Sequence, residues 1–234
     1  MEIPVKAPAV TPASLAARGE QSALRKIPLA AKLAYSAFVA VLVPVYLHAY
    51  GPTNFLYFCD TALLLTLVGM WLENSLLISM CSVGILFPQI VWLVDFGSTF
   101  LGIPLTGLTG YMFDPNLPLF TRGLSFFHGW LPLVLIWLLT RVGYDKRAFP
   151  AWSVLATALV LICYFFTPPA GAQMADPNIA RNINYAYGFN DKVPQTWMNQ
   201  HLYVVLWIAV LCLLVFLPTH LVLTKIVRPA RSIG

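Results

Sequence analysis

Charge is what this 234-residue sequence has least of: Asp, Glu, Lys and Arg make up only 10% of it, where average proteins carry about 25%. So little charge, with 59% hydrophobic residues and a mean hydropathy of +0.76, excludes an ordinary soluble domain and places the chain in a bilayer. Cysteine is also sparse. Cys59, Cys81, Cys163 and Cys212 form no CxxC pair and no close spacing, which argues against a disulfide framework or a zinc ribbon. No HExxH, GxSxG, P-loop or Rossmann fingerprint occurs, leaving zinc proteases, serine-elbow hydrolases and nucleotide-dependent enzymes without support. The lack of an internal repeat weighs against an inverted-repeat transporter.

What is present is apolar helix. A hydrocarbon core of about 30 Å requires roughly 20 apolar residues in helix, and six stretches approach that length: 33–50, 55–72, 76–94, 123–139, 148–166 and 202–223. The expected fold is therefore all-α, a polytopic membrane bundle of six transmembrane helices over residues 29–226. It is flanked by a disordered cytoplasmic tail at 1–28 and a basic cytoplasmic tail at 227–234. The first 26 residues hold no apolar core of the kind a signal peptide needs.

Orientation follows from the basic residues, which accumulate in cytoplasmic flanks. Lys6, Arg18, Arg25, Lys26 and Lys32 precede or open the first span, Arg141, Lys146 and Arg147 follow the fourth, and Lys225, Arg228 and Arg231 end the chain. That puts 11 of 14 on one side. Both termini are expected in the cytoplasm, and the formal charge of +5 reads as membrane orientation, with no nucleic-acid partner. Short turns at Gly51-Pro52 and Glu73-Asn74 make the first three helices antiparallel neighbours. Two long connections fall outside. One, from Phe96 to Arg122, is rich in Gly and Pro. The other, from Thr167 to His201, is rich in amides and is expected to lie as a lid over an outward-facing cavity.

Ionisable groups at membrane depth cost about 2.5–3.5 kcal/mol on insertion scales and so need a partner or a purpose. Asp60 lies six residues beyond Asn54, about 9 Å below the outer boundary at the helical rise, with Cys59 beside it. His128 lies six residues after Arg122 and reaches a similar depth from the same side. Thr121, Arg122, Ser125 and His128 form a polar stripe on one helix face, and Gln89 follows the helix-breaking Pro88. Cys59, His128 and Asp60 contain the functions of a nucleophile, a base and an orienting carboxylate. Arg122, Ser125, Gln89, Asn182, Asn184 and Tyr185 are the expected substrate-binding or lid residues. No metal site and no cofactor is expected.

The runs NFLYFCDTALLLTL, SFFHGWLPLVLIWLL and NINYAYGF resemble the pattern of the YwaF-type bacterial integral membrane proteins over about residues 50 to 220. Eukaryotic relatives of that family include a six-helix ether-phospholipid acyltransferase and, more distantly, the androgen-induced hydrolases of branched fatty-acid esters. The resemblance implies Cys59 as nucleophile and His128 as base. Two positions depart from the family pattern: Tyr57 stands where a His is common, and the histidine motif is compacted to FFHG. The FxD, YMFD and FH pattern resembles more closely still a group of uncharacterised bacterial six-helix membrane proteins, a resemblance that implies no activity.

The sequence therefore points to a multi-pass protein of a bacterial inner membrane. It is expected to be a lipid-directed acyltransferase or hydrolase with an intramembrane Cys/His site near the outer side, and membrane lipids as its partners. The alternative is a non-enzymatic membrane subunit or assembly factor that binds other membrane-protein subunits through packing alone. A haem or quinone protein would need paired histidines on facing helices, and His48 with His201 or His128 fits that loosely.

Overall fold

The computed structural model describes residues 27–176 and 179–230. Most of the tail expected at 1–28, and residues 231–234 of the expected basic tail, lie outside them. The described chain forms six helical rods: α1 Leu29–Tyr50, α2 Phe58–Trp71, α3 Ser75–Phe100, α4 Leu119–Val142, α5 Ala148–Phe166 and α6 Gln200–Ile226. Among the described residues there is no β-strand. All but α2 are long and apolar enough to cross a membrane, and many large apolar side chains, among them Leu47, Ile90, Leu133, Val154 and Leu214, point outward. These are the features of a multi-pass membrane protein.

The rods alternate in direction. Lys32 near the start of α1 bonds Glu73 just past the end of α2 at 2.7 Å. Ser79 near the start of α3 accepts the Asp145 N–H from the turn between α4 and α5. Tyr144 in that turn bridges to Pro229 beyond α6. One end of the bundle, the tail end, thus carries the start of α1 and the end of α6. The opposite, loop end carries the connections 101–118 and 167–199.

Inside a bilayer, lipid tails are as apolar as leucine, so the rods are held by close packing and interhelical hydrogen bonds. Small residues sit where packing is closest. A Cβ at Gly84 of α3 would lie 1.9 Å from the Trp152 ring of α5, so only glycine admits the indole there. The Tyr35 hydroxyl of α1 donates to the Leu63 carbonyl of α2 at 2.9 Å, and such bonds average about 0.6 kcal/mol in membrane proteins. Tyr35, Val39, Leu42 and Tyr46 are the buried face of α1, at the three- and four-residue spacing of a helix stripe.

Helix bounds differ from expectation where proline or a distant partner intervenes. Residues Pro52–Leu56 form a 3₁₀ turn, so α2 starts at Phe58 and, at 14 residues, spans only about 21 Å. α3 continues past Val94 because Asp95 turns inward, as described below. α4 starts earlier than expected and is interrupted at Ser125–Phe126. In α6 the segment Leu211–Phe216 is a π-helix, followed by Pro218, which has no N–H to offer the preceding turn.

Candidate functional site

Polar groups at the loop end gather around the start of α2. Asp60 is 3% exposed, and its Oδ2 accepts from Asn54 Nδ2 at 3.4 Å and from the Cys59 thiol at 3.6 Å. Its Oδ1 has no hydrogen-bond partner. Neither ion pair among the described residues includes it. A buried carboxylate with one bare oxygen is costly, so this atom is the clearest sign of a site in the bundle. Arg122, the nearest cation in sequence to His128, instead donates through Nη1 to the Met112 carbonyl at 2.9 Å.

Two observations explain why Cys59 and Asp60 sit where they do. Thr61 Oγ1 donates to the Phe55 carbonyl at 3.0 Å, tying α2 to the 3₁₀ turn before it. From the long 167–199 connection, Asn184 Oδ1 accepts the Phe58 N–H at 3.0 Å and Asn184 Nδ2 donates to the Leu56 carbonyl at 2.8 Å. The first turn of a helix has unpaired N–H groups, and here a residue far along the chain caps it. Asn184 is itself held by Trp207 Nε1, which donates to its carbonyl at 2.8 Å. Asn182, Asn184 and Tyr185 all have positive φ, at 47°, 56° and 58°, a region that asparagine visits far more readily than tyrosine. Asn182 secures that shape by accepting the Tyr187 N–H and donating to the Gly188 carbonyl, both at 2.8 Å. The residues expected as a lid thus lie over the start of α2.

His128 has other company. Its Nδ1 pairs with Gln89 Oε1 at 3.1 Å. Because an amide oxygen only accepts, Nδ1 carries the proton and Nε2 is left as an acceptor in the neutral ring. Trp92 lies 5.0 Å from the ring, and Trp92 stacks in turn on Phe96. Gln89, expected among the substrate-binding or lid residues, contacts His128 directly, and no hydrogen bond joins His128 to Cys59 or Asp60 among the described residues. The structure brings Cys59 and Asp60 together and leaves His128 on the α3–α4 seam.

Ser125, at the interruption of α4, shares a 2.6 Å hydrogen bond with the Tyr46 hydroxyl of α1. Tyr50 meets the Tyr46 ring edge-on at 5.2 Å. Tyr111 faces Ser125 and the Trp92 indole and is an electrostatic neighbour of Cys59. These three tyrosines were not singled out by sequence reasoning, because an aromatic at a span end also reads as an interfacial anchor. On the outer surface of α4, Leu119, Phe120, Gly123 and Leu124 line a shallow, open apolar depression.

Asp95 is the other buried carboxylate of the loop end, and it is fully engaged. It accepts the N–H groups of Thr106, Gly107 and Thr109 at 2.6, 3.3 and 2.9 Å and the Thr109 hydroxyl at 2.7 Å. It folds the glycine-rich connection back onto α3 and has no bare atom for chemistry. Among the described residues no group of three or more His, Cys, Asp and Glu side chains is placed to hold a metal ion. Comparison with protein-family models, with curated proteins and with solved structures gave no match.

Proposed function

We propose that this chain is a lipid-directed acyltransferase or hydrolase of a bacterial inner membrane, crossing it six times with both ends in the cytoplasm, and that Cys59 and Asp60 perform the chemistry. The observation that carries this reading is the Cys59 thiol donating at 3.6 Å to a buried carboxylate whose other oxygen is unpartnered. A thiol reacts as thiolate and needs a base within reach. Asp60 is that base by contact, whereas no hydrogen bond joins His128 to the thiol.

In the first half-reaction the Cys59 proton passes to Asp60 as sulfur attacks the carbonyl carbon of a lipid ester. The C–O bond breaks, the leaving alcohol takes the proton from Asp60, and the acyl group remains on sulfur as a thioester. In the second, water or another lipid hydroxyl gives its proton to Asp60 and attacks the thioester, and the proton returns to sulfur. The hydroxyls of Tyr46 and Tyr111, electrostatic neighbours of Asp60 and Cys59 respectively, are the candidate donors for the oxyanion, a role worth about 3–4 kcal/mol per donor in known hydrolases. The open apolar surface at Leu119, Phe120, Gly123 and Leu124 supports contact of this part of the bundle with lipid chains.

The test is covalent labelling of the purified, detergent-solubilised chain with an acyl-directed electrophile. Labelling at Cys59 that is lost in Cys59→Ser supports the enzyme; labelling unchanged in Cys59→Ser removes it. One observation favours the non-enzymatic subunit: His128 is held through Nδ1 by Gln89 and packs its ring against Trp92, as a packing residue would. That reading expects a stoichiometric partner after gentle extraction and lipid profiles indifferent to substitution at Cys59.

A further inference from the structure

The two ends of the bundle differ in charge. At the tail end the described residues place Lys32, Arg141, Lys146, Arg147, Lys225 and Arg228 against only Glu73 and Asp145, whereas at the loop end Arg122, Arg181 and Lys192 stand against Asp60, Asp95, Asp114, Asp176 and Asp191. Both tail-end acids are consumed in ion pairs, Glu73 with Lys32 and Asp145 with Arg147, each at 2.7 Å. Arg141 and Lys225 fall in the last turns of α4 and α6, where a cation offsets the negative helix end, and Arg141 also lies over the Trp137 ring at 5.5 Å. Lys146 and Arg228 lie beyond their helices, are exposed, and have no such role.

The backbone segments that carry these two cations are joined. The Tyr144 N–H donates to the Arg228 carbonyl and the Ala230 N–H donates to the Tyr144 carbonyl, both at 2.8 Å. Gly143, at φ +81°, lets the tail lie flat against the turn, because a Cβ there would meet the Ala230 backbone at 2.8 Å. The Tyr144 hydroxyl bonds His220 Nδ1 at 2.7 Å, and Lys146 is an electrostatic neighbour of that ring.

We infer that the tail end is a docking surface for an anionic phospholipid, whose headgroup phosphate is held by Lys146 and Arg228 on the Tyr144–Pro229 platform. Charge complementarity selects the partner: a membrane-embedded bundle meets headgroups at this level, and among the described residues the platform offers cations with no remaining unpaired carboxylate to oppose a phosphate. The surface lies at the opposite end from Cys59 and Asp60 and does not rest on any catalytic role for them.

The experiment compares thermal unfolding of the full chain in detergent with added phosphatidylglycerol, phosphatidylcholine of the same acyl chains, or inorganic phosphate. Phosphatidylglycerol is expected to raise the midpoint while the other two do not. Lys146→Gln/Arg228→Gln is expected to weaken the phosphatidylglycerol response on the order of tenfold in lipid concentration, and Lys146→Arg/Arg228→Lys and Lys192→Gln to preserve it. An equal response to phosphatidylcholine, full reproduction by inorganic phosphate, or an undiminished response in the double Gln variant overturns the inference. If the double Gln variant does not fold, Lys146→Gln alone is read by the same criteria.

Discussion

The side chain of Asn184 caps α2 at Phe58, accepting its N–H at 3.0 Å from a residue 126 positions away. The residue after Phe58 is Cys59, so the connection over the loop end sets the position of the thiol. Asn184→Ala leaves the Phe58 N–H and the Leu56 carbonyl without these partners. The expected loss of stability is about 1–3 kcal/mol, the cost of a missing cap and a buried unpaired group. Thermal unfolding in detergent measures it, and Cys59 labelling is expected to fall with it. A variant as stable as the parent with unchanged labelling would show that the cap is idle.

Gly123 lines the open apolar depression on α4, and a Cβ built there meets nothing within 4 Å. Gly123→Leu is therefore expected to add apolar bulk to that surface with little change in folding. Under the proposed reading it slows transfer from long-chain lipid esters much more than labelling by a small electrophile. Equal effects on both would mean that acyl chains reach Cys59 by another route.

Asp145 belongs to the turn at the tail end, where hydrogen bonds from the Arg147 guanidinium hold its carboxyl below the ordinary value of 3.8. A lowered acid stabilises the folded form above its unfolded value and loses that contribution as pH falls through its folded one. The turn is thus expected to loosen only below about pH 3.8, and modestly, because the Arg147 side chain is largely exposed. Amide exchange at Tyr144 and Ala148 reports it. The pH dependence should vanish in Asp145→Asn; its persistence there would assign the effect to another group.

Much of the fold could be read from the sequence because a bilayer demands long apolar helices, and their rough positions follow from hydropathy alone. The bounds that shifted did so for reasons outside that pattern. Pro52 winds a 3₁₀ turn before α2, and α3 runs on to Phe100 because Asp95 finds its donors at Thr106, Gly107 and Thr109. Of the candidate site, the adjacency of Cys59 and Asp60 was legible, whereas the bonds of Asn184 to Phe58 and Leu56 were not, because they join residues 126 and 128 positions apart. The partner of His128 was not, because hydropathy does not say which face of α3 meets α4. Tyr46 and Tyr111 escaped notice because the role of an aromatic hydroxyl depends on what faces it across the bundle.

The most direct test of the account is the rate at which an acyl-directed electrophile labels Cys59 in the parent, Asp60→Asn and His128→Ala. Loss of a general base costs about 10²–10⁴-fold, so Asp60→Asn is expected to slow labelling by at least about 10²-fold while His128→Ala retains most of the parent rate. Labelling of Asp60→Asn at the parent rate, or a label that stays after Cys59→Ser, would contradict the assignment of Cys59 and Asp60 as the reactive pair.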